Sequence, residues 1–510
     1  MFKKWFHPKP SRGSAHSGGR GGPPSKPSGS PVEQIRQRLH SCDDVNVQRI
    51  ALESGVVCHL IFIESITDTK RIQDFIVRPL LEDCLRDGER ELIRRIADGA
   101  VIPIQATAAS GPEEAVRLVL DGNAALVVDD RWPAFLFPIT SYKGRSVPEA
   151  TNEMVIIGPQ EAFVENIQTN LSLIRHKLKH PDFKTLKFEI GEYTQTSIYV
   201  VYIHRLVDTE VLDTVMRELD SIRTDSVIGV SYIAELMNGQ PFSPFPTIQY
   251  TERPDTLAAS ILEGRIGIMV DGTPQALLAP VTFFSQMQSP EDYFQNYISA
   301  TWIRWVRYFF AIASFLVPSF YLAITTFHPE MIPATLLVTI SAARENVPFP
   351  LMVEVLIMEM TFEALREAGI RIPRPLGQTV SIIGAIVIGQ ATVQAGIVSA
   401  PTVIVVSITG IASFVIPHFE LGLAFRLLRF PLLLLGGTFG LFGIILGLFV
   451  MFWHMTMLKS FGVPFMHPIA PFVLKDWKDV LIRTRWSLMN RRPDSYGSEA
   501  KRRQEVSDDP

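Results

Sequence analysis

Short catalytic motifs are missing from this sequence of 510 residues. It has no phosphate-binding loop, no Gly-x-Ser-x-Gly elbow, no His-Glu-x-x-His pair and no Cys-x-x-Cys pair. The three cysteines, Cys42, Cys58 and Cys84, are too few and too widely spaced for a disulfide framework or a zinc site. We therefore expect that the protein is not an enzyme and that it carries no metal ion and no other cofactor.

Neither sign of charge is in large excess. The 48 Lys and Arg residues nearly balance the 52 Asp and Glu residues, and the net charge of -4 is too small to indicate a nucleic-acid partner. Residues 1–35 lack an apolar segment, so we expect no signal peptide there. They form a basic tail rich in Ser, Gly and Pro, expected to be disordered, and it either stays solvated or contacts anionic lipid. Residues 488–510 are predicted to be a second, charged, disordered tail.

Charged residues are absent from two long apolar stretches, 377–418 and 431–453. A helix that spans a bilayer needs about 20 mostly apolar residues. The first stretch is long enough for two spans, at about 379–398 and 402–417, and the second predicts one span at about 430–454. The sequence therefore predicts a polytopic all-α transmembrane domain near the C-terminal end.

Two segments ahead of this domain resemble each other at a fixed offset of about 142 residues. A buried strand is predicted at 56–63, helices follow, and a hairpin is predicted at 124–137. The matching triplets are 120–122 with 262–264, 128–130 with 270–272, and 136–138 with 278–280. The alternative is chance similarity between two hairpins. Asp271-Gly272 favours a type I′ turn, because both central residues of that turn need a positive φ.

The fold class is accordingly α/β tandem soluble subdomains followed by the transmembrane domain. Subdomain 1 is assigned to residues 36–155. A linker helix at about 161–179 and subdomain 2 occupy residues 156–290. The membrane domain covers residues 291–487, with an interfacial helix and about four to six spans. The two subdomains offer either a ligand-binding cleft or a surface for association of copies.

Aromatic residues recur at helical spacing in residues 293–307, directly before an apolar run at 308–327. This pattern predicts an amphipathic helix at the membrane surface that leads into the first span. The candidate interface and gating residues are Trp302, Arg304, Trp305 and Arg307.

Carboxylates are unusual in membrane segments and often line water or an ion path. Residues 351–368 are predicted to be a helix that either lies at the surface with a solvated face or enters the bilayer with residues 331–343. In the second case the pore-lining candidates are Glu354, Glu359 and Glu363, together with Gln390 and Gln394, which are one turn apart in the following span.

Four glycines, Gly436, Gly440, Gly443 and Gly447, fall on one stripe of the predicted last span. Such a stripe lets a second helix approach closely, and a flexible hinge is the lesser alternative. Lys and Arg before the first span and after the last predict that both ends are cytoplasmic, which requires an even number of spans, four or six. Arg426 and Arg429 fit this topology poorly, because they would lie outside.

The motifs GPQEAFVENIQTNLSLIRHKL (158–178), DGTPQALLAPVTFF (271–284), SPEDYF (289–294) and RPLGQTVSIIGAIVIGQATVQAGIVSAP (374–401) carry a family resemblance. The chain resembles the A subunit of the GerA family of spore germinant receptors. The resemblance implies an integral protein of the inner membrane of the bacterial spore, with its termini on the core side.

The resemblance also implies partners: a transporter-like B subunit that binds the nutrient and a C subunit that is a lipoprotein. It further implies self-association, as a pentamer, into a nutrient-gated cation channel that triggers germination. Three alternatives remain open: a non-conducting scaffold or signalling subunit, the family's paralogue associated with the dipicolinate channel, and a transporter. No inverted repeat supports the transporter.

Overall fold

Two α/β subdomains precede a helical region in the computed structural model, which describes residues 29–84, 88–141, 149–150, 152–371, 389–497 and 502–503. This order confirms the predicted α/β subdomains and the helical C-terminal region.

Subdomain 1 is built on a five-stranded antiparallel sheet with strand order β1-β2-β4-β5-β3. Its strands are β1 (Val45–Ala51), β2 (Val57–Ile63), β3 (Thr107–Ala109), β4 (Asn123–Val128) and β5 (Arg131–Pro138). Its helices are α1 (Pro31–Arg38), α2 (Thr69–Ile72), α3 (Arg78–Asp83), α4 (Glu89–Ala97) and α5 (Pro112–Leu120), and a short π-helix at Gln73–Val77 joins α2 to α3. Successive strand residues point to opposite faces, so Leu60 and Ile61 enter separate apolar clusters on the two sides of the sheet.

Subdomain 2 repeats this topology, with strand order β6-β7-β9-β10-β8. Its strands are β6 (Phe183–Ile190), β7 (Thr196–Ile203), β8 (Gln249–Thr251), β9 (Ile266–Val270) and β10 (Ala276–Ala279). Its helices are α6 (Ile167–Lys177), α7 (Thr209–Ser221), α8 (Val230–Leu236) and α9 (Pro254–Leu262). The same strand order in both sheets confirms the predicted duplication. The edge strands β3 and β8 have three residues each, too short for a sequence pattern to reveal.

The two hairpin turns differ from each other. Asp129 and Asp130 both have a positive φ, 51° and 53°, and Val128 pairs with Arg131, so this turn is type I′. The type I′ prediction for Asp271-Gly272 is wrong, because β9 and β10 are joined by a longer loop in which only Gly272 of this pair has a positive φ. The Asp271 carboxylate instead accepts a hydrogen bond from the backbone N–H of Ile167, at 3.1 Å.

A buried ion pair joins the two subdomains. Arg175 of α6 donates to both carboxylate oxygens of Asp44, at 2.9 and 2.6 Å, and Thr185 of β6 donates to the same carboxylate. Both charged side chains are almost fully buried. Burial alone would raise the pKa of Asp44, but the Arg175 guanidinium outweighs this and holds it below its ordinary value. The contact fixes one subdomain against the other.

The helical region begins with two short helices and continues with longer ones. These are α10 (Phe283–Gln286), α11 (Glu291–Phe294), α12 (Tyr297–Phe327), α13 (Ala334–Arg344), α14 (Leu351–Arg371), α15 (Ala400–Ser413) and α16 (Phe419–Met457). Among the described residues, α12 and α16 are the helices long and apolar enough to cross a bilayer. From Tyr297 onward, the predicted surface helix and the first span form one continuous helix, α12. The helix is interrupted ahead of it, because α11 ends before Gln295 and Asn296 caps the start of α12.

The chain reverses direction within α16. Gly440 has φ 63° and ψ -143°, outside the helical region of backbone space. The ring of Phe245 lies 6.3 Å from that of Phe425 and 6.2 Å from that of His454. A straight helix would separate these two residues by about 44 Å, at 1.5 Å per residue. The expectation of one span at 430–454 is therefore wrong, and α16 is a helical hairpin that turns at Gly440.

This reversal also changes the position of the two arginines that fitted the predicted topology poorly. Phe425, next to Arg426, contacts Phe245, which lies between α8 and β8 of subdomain 2, and Phe283, the first residue of α10. Arg426 therefore lies on the side of the α/β subdomains, where the bias of Lys and Arg toward one side of a membrane places it.

Both predicted tails contain structured residues at the end that adjoins the rest of the chain. Residues 31–35 belong to α1, whose backbone is capped by Ser30. Near the other end, Tyr496 is buried, Arg492 donates to the backbone oxygen of Leu262, and Arg503 pairs with Glu263 at 2.5 Å. Residues 488–497 and 502–503 thus pack on subdomain 2, which corrects the prediction for this part of the tail. Residues 1–28 and 504–510 lie outside the described residues.

Candidate functional site

A buried ion-pair network lies where the α/β subdomains meet the helical region. Asp292 of α11 accepts hydrogen bonds from Arg304 at 2.8 Å and from two nitrogens of Arg307 at 2.9 and 3.0 Å. Arg304 also donates to the backbone oxygen and the carboxylate of Asp479, both at 2.8 Å. Burial alone would raise the pKa of Asp292, but Arg307 and Arg304 outweigh it and hold it below its ordinary value.

Aromatic residues complete this network, which we call the junction (Asp292, Tyr293, Arg304, Arg307 and Asp479). The Tyr293 hydroxyl donates to Asp479 at 2.6 Å, and its ring stacks under the guanidinium of Arg304. Burial raises the pKa of Tyr293 well above its ordinary value, so the hydroxyl remains a donor. The junction therefore locks the beginning of α12 to the segment that follows α16.

The four predicted gating residues fall into two groups. Arg304 and Arg307 are buried in the junction, whereas Trp302 and Trp305 are 65% and 51% exposed on the other face of α12. Trp305 donates through its indole N–H to the backbone oxygen of Leu481 at 3.0 Å. The arginines thus hold the helix, and the tryptophans present aromatic surface outward.

Glu354 is fully enclosed by polar partners of its own chain. It accepts hydrogen bonds from Arg344 at 3.0 Å, from the backbone N–H and hydroxyl of Ser399 at 3.0 and 2.8 Å, and from Thr402 at 3.2 Å. A buried carboxylate requires such compensation, because its charge loses the hydration of water. Glu354 therefore holds α13, α14 and the start of α15 together.

Glu359 makes a second buried ion pair, with Arg429 of α16 at 2.5 Å, and both side chains are almost fully buried. Glu363 is half-buried and pairs with Arg366 on the same helix. The most exposed residues of α14 include Val353, Met360, Ala364 and Glu367, which recur at helical spacing on one face. In this conformation Glu354 and Glu359 thus point into the chain, away from that face.

Gln390 and Gln394 are both exposed, within a helical turn at residues 389–394. The structure leaves these two amides on the surface of the single chain, near α15. Half of their predicted span at 379–398, residues 379–388, lies outside the described residues. Whether these glutamines and the three glutamates line a pore remains a prediction, because such a pore would form between copies.

The glycines of the predicted stripe lie in the hairpin α16. A side chain at Gly447 would meet Leu432 at 2.7 Å, and one at Gly443 would collide with the backbone oxygen of Leu435. Gly436 lies against the backbone oxygen of Ser319 in α12. These three glycines thus lie at close contacts that a side chain would disturb, whereas Gly440 lies at the turn.

Sequence reasoning missed the acidic partners of the arginines. Asp292 lies twelve residues before Arg304. Because a buried arginine needs an acidic partner, this nearby aspartate could have been predicted from the sequence. Asp479 is 175 residues away from Arg304, and Arg429 is 70 residues away from Glu359, so no local pattern could pair them. Among the described residues, no group of three or more His, Cys, Asp or Glu side chains could hold a metal ion.

Two α/β subdomains of identical topology, locked through charged residues to a helical region with two apolar helices, define a class of membrane-associated protein. Residues 33–495 match the family model described as the Bacillus/Clostridium GerA spore germination protein. The chain belongs to this family of spore germinant receptor A subunits, which is not known as an enzyme family.

Several relatives are similar over nearly their whole length. The chain is 40% identical over 475 residues to spore germination protein KA of Bacillus subtilis, with 93% of this chain and 87% of that protein covered. It is 39% identical over 485 residues to the membrane protein YfkQ of Bacillus subtilis, with 94% of each covered. A crystal structure of the N-terminal domain of the A subunit of the Bacillus megaterium germinant receptor GerK3 is 28% identical, with a TM-score of 0.40, and it covers 49% of this chain and 94% of that domain.

Proposed function

We propose that the chain is the membrane subunit of a nutrient germinant receptor and that several copies, five by the family resemblance, form a nutrient-gated cation channel. In this proposal the helical region crosses the inner membrane of the spore, and both termini lie on the core side. A transporter-like B subunit binds the nutrient, and a lipoprotein C subunit completes the receptor.

The observation that carries the proposal is the set of charged residues of α14 inside an apolar helical region. Ionisable side chains are costly in a bilayer and usually serve an ion path or pair with one another. Glu354 and Glu359 are paired within the chain, Glu363 is half-buried, and Glu367 is exposed. Rings of glutamate around a central axis would favour cations.

In this scheme the described conformation corresponds to a closed pore. The outer face of α14, with Val353, Met360 and Ala364, and the exposed amides of Gln390 and Gln394 would face the axis. Arg344 and Arg429 hold Glu354 and Glu359 away from it. Nutrient binding to the partner subunit would move α12 through the junction and release one or both ion pairs.

A non-conducting scaffold is the second candidate function. The observation that favours it is that Glu354 and Glu359 are each paired with an arginine of the same chain, so contacts between helices account for both buried carboxylates. A scaffold needs no water-exposed residue within the bilayer, which separates it from the channel.

The test is single-channel recording from the full chain, reconstituted with its partner subunits, while single cysteines along 351–371 and 389–394 react with a water-soluble thiol reagent. The channel predicts nutrient-gated current that is blocked from one helical face, and the charge reversal Glu363→Lys should lower the preference for cations. Glu330→Lys, at an exposed carboxylate outside α14, serves as the matched control. Absence of gated current, together with absence of a reactive face, would establish the scaffold instead.

A further inference from the structure

A cavity of about 490 Å³ lies between α9 of subdomain 2, α11 and the C-terminal residues. Ligand sites in proteins typically have volumes of about 300–1,000 Å³, with mostly apolar walls and a few polar groups. The cavity is separate from the pore candidates of α14, and it lies on the side of the α/β subdomains.

The walls of the cavity suit a flat, apolar molecule. Tyr293, Phe294 and Trp486 supply three aromatic side chains, and Ala259 and Leu262 of α9 supply small and aliphatic surface. Aromatic rings pack against other rings by offset stacking or by edge-to-face contact, at centroid separations of about 4.5–7 Å. The cavity can therefore enclose a planar ring.

The charge at the cavity is positive. Three arginines and two acidic residues line it, which leaves one net positive charge. Arg265 is buried, and its guanidinium donates to three neutral oxygens, those of Pro280, Ser260 and Gln249, at 2.9–3.3 Å. The neighbouring His418 adds no charge at neutral pH, because burial and nearby arginines lower its pKa to about 4.

We propose that this cavity binds a small planar aromatic molecule that carries one anionic group. The ring lies against the aromatic wall formed by Tyr293, Phe294 and Trp486, and the anionic group lies toward Arg265. Because Tyr293 also bonds to Asp479 of the junction, a bound ligand would stabilise the beginning of α12. This site is independent of the proposed pore, and each can exist without the other.

The test uses the full chain in nanodiscs of uncharged lipid and two probes of similar size, 4-fluorobenzoate and 4-fluorobenzyl alcohol. Binding is followed by the broadening of the ¹⁹F resonance, with empty nanodiscs as the reference for partition into lipid. We expect the benzoate to bind at least about tenfold more tightly than the alcohol, which corresponds to about 1.4 kcal/mol. Equal binding of both probes, or no benzoate binding beyond the empty nanodiscs, would overturn the proposal.

Two variants locate the binding. Ala259→Trp fills the cavity from an exposed position of α9 and should abolish benzoate binding, whereas Ala97→Trp, at an exposed alanine of α4, should leave it unchanged. Arg265→Gln should weaken benzoate binding and leave alcohol binding as it is. Benzoate binding that survives Ala259→Trp in a protein with an unchanged unfolding temperature would place the site elsewhere and contradict the proposal.

Discussion

Arg304 donates through one nitrogen to both the backbone oxygen and the carboxylate of Asp479, each at 2.8 Å. The two residues are 175 positions apart, at the beginning of α12 and after the end of α16. This contact joins the two ends of the helical region on the side of the α/β subdomains. Either end can therefore move away from the other only if a buried, charged contact breaks.

The contacts of the junction predict that Asp292→Asn strongly lowers the free energy of unfolding. This change leaves Arg304 and Arg307 buried without one of their compensating charges, and breaking a buried ion pair from one side typically costs about 3–5 kcal/mol. Thermal unfolding of the full chain in detergent should show a clear drop in the midpoint. Asp220→Asn, at an exposed residue of α7, should change the midpoint little. Equal midpoints for the two variants would show that the junction does not hold the helices.

The turn at Gly440 predicts opposite effects of one substitution at two glycines of the same hairpin. Gly440→Ala forces an L-residue into a backbone conformation that only glycine adopts readily, and its new methyl group would lie 3.2 Å from Phe327. We therefore expect the free energy of unfolding to fall by about 1–3 kcal/mol. Gly422→Ala has ordinary contacts at 3.9 Å and should be neutral or stabilising by up to about 1 kcal/mol. Thermal unfolding in detergent gives both values, and a neutral Gly440→Ala would contradict the reversed chain.

The Glu359–Arg429 pair predicts strong coupling in a double-mutant cycle. Glu359→Leu and Arg429→Met should each cost about 3–5 kcal/mol, because each leaves a buried, unpaired charge, and the double variant should cost much less than their sum. Unfolding temperatures in nanodiscs provide the measurement. The exposed pair Glu367–Arg371 on the same helix serves as the control, and its coupling should be close to zero. Simple additivity at Glu359 and Arg429 would show that the pair does not form.

The shifted pKa values of Glu153 and His418 predict opposite effects of pH on the free energy of unfolding, and these effects nearly cancel in the native protein. Burial raises the pKa of Glu153 to about 7 and, with nearby arginines, lowers that of His418 to about 4. The two side chains lie 3.9 Å apart. The raised carboxyl makes folding less favourable as pH rises from about 4.5 to 7, by about 3 kcal/mol in all, whereas the lowered imidazole makes it more favourable between about pH 4 and 6.5.

Single variants separate these two contributions. Glu153→Gln removes the contribution of the carboxyl, so the free energy of unfolding should rise more steeply with pH than in the native protein between about pH 4.5 and 7. His418→Gln removes the contribution of the imidazole, so the free energy of unfolding should rise less steeply with pH than in the native protein between about pH 4 and 6.5. Denaturant unfolding at several pH values measures the slope of each variant and of the native protein. Slopes that change in the same direction in both variants would contradict the pKa shifts of Glu153 and His418.

The local patterns of the sequence determined most of the secondary structure. The apolar run 56–63 predicted strand β2, and the repeated triplets predicted hairpins at equivalent places in the two sheets. The charge-free stretches predicted α15 and most of α16. These features depend on the period of the side chains along a helix or strand, which is readable within a few turns. The three-residue strands β3 and β8 escaped notice because three residues carry too little periodicity.

The tertiary structure alone decided which charges meet and where the chain turns back. The sequence presented Gly440 as one member of a packing stripe, yet its left-handed backbone reverses α16 and brings Phe425 and His454 to the same aromatic ring. Likewise, the sequence presented Arg304 as a charge at the membrane surface, whereas the folded chain pairs it with Asp479, 175 residues away. The physical reason is that burial of a charge depends on partners distant in sequence, and only the folded chain brings those partners within hydrogen-bonding distance.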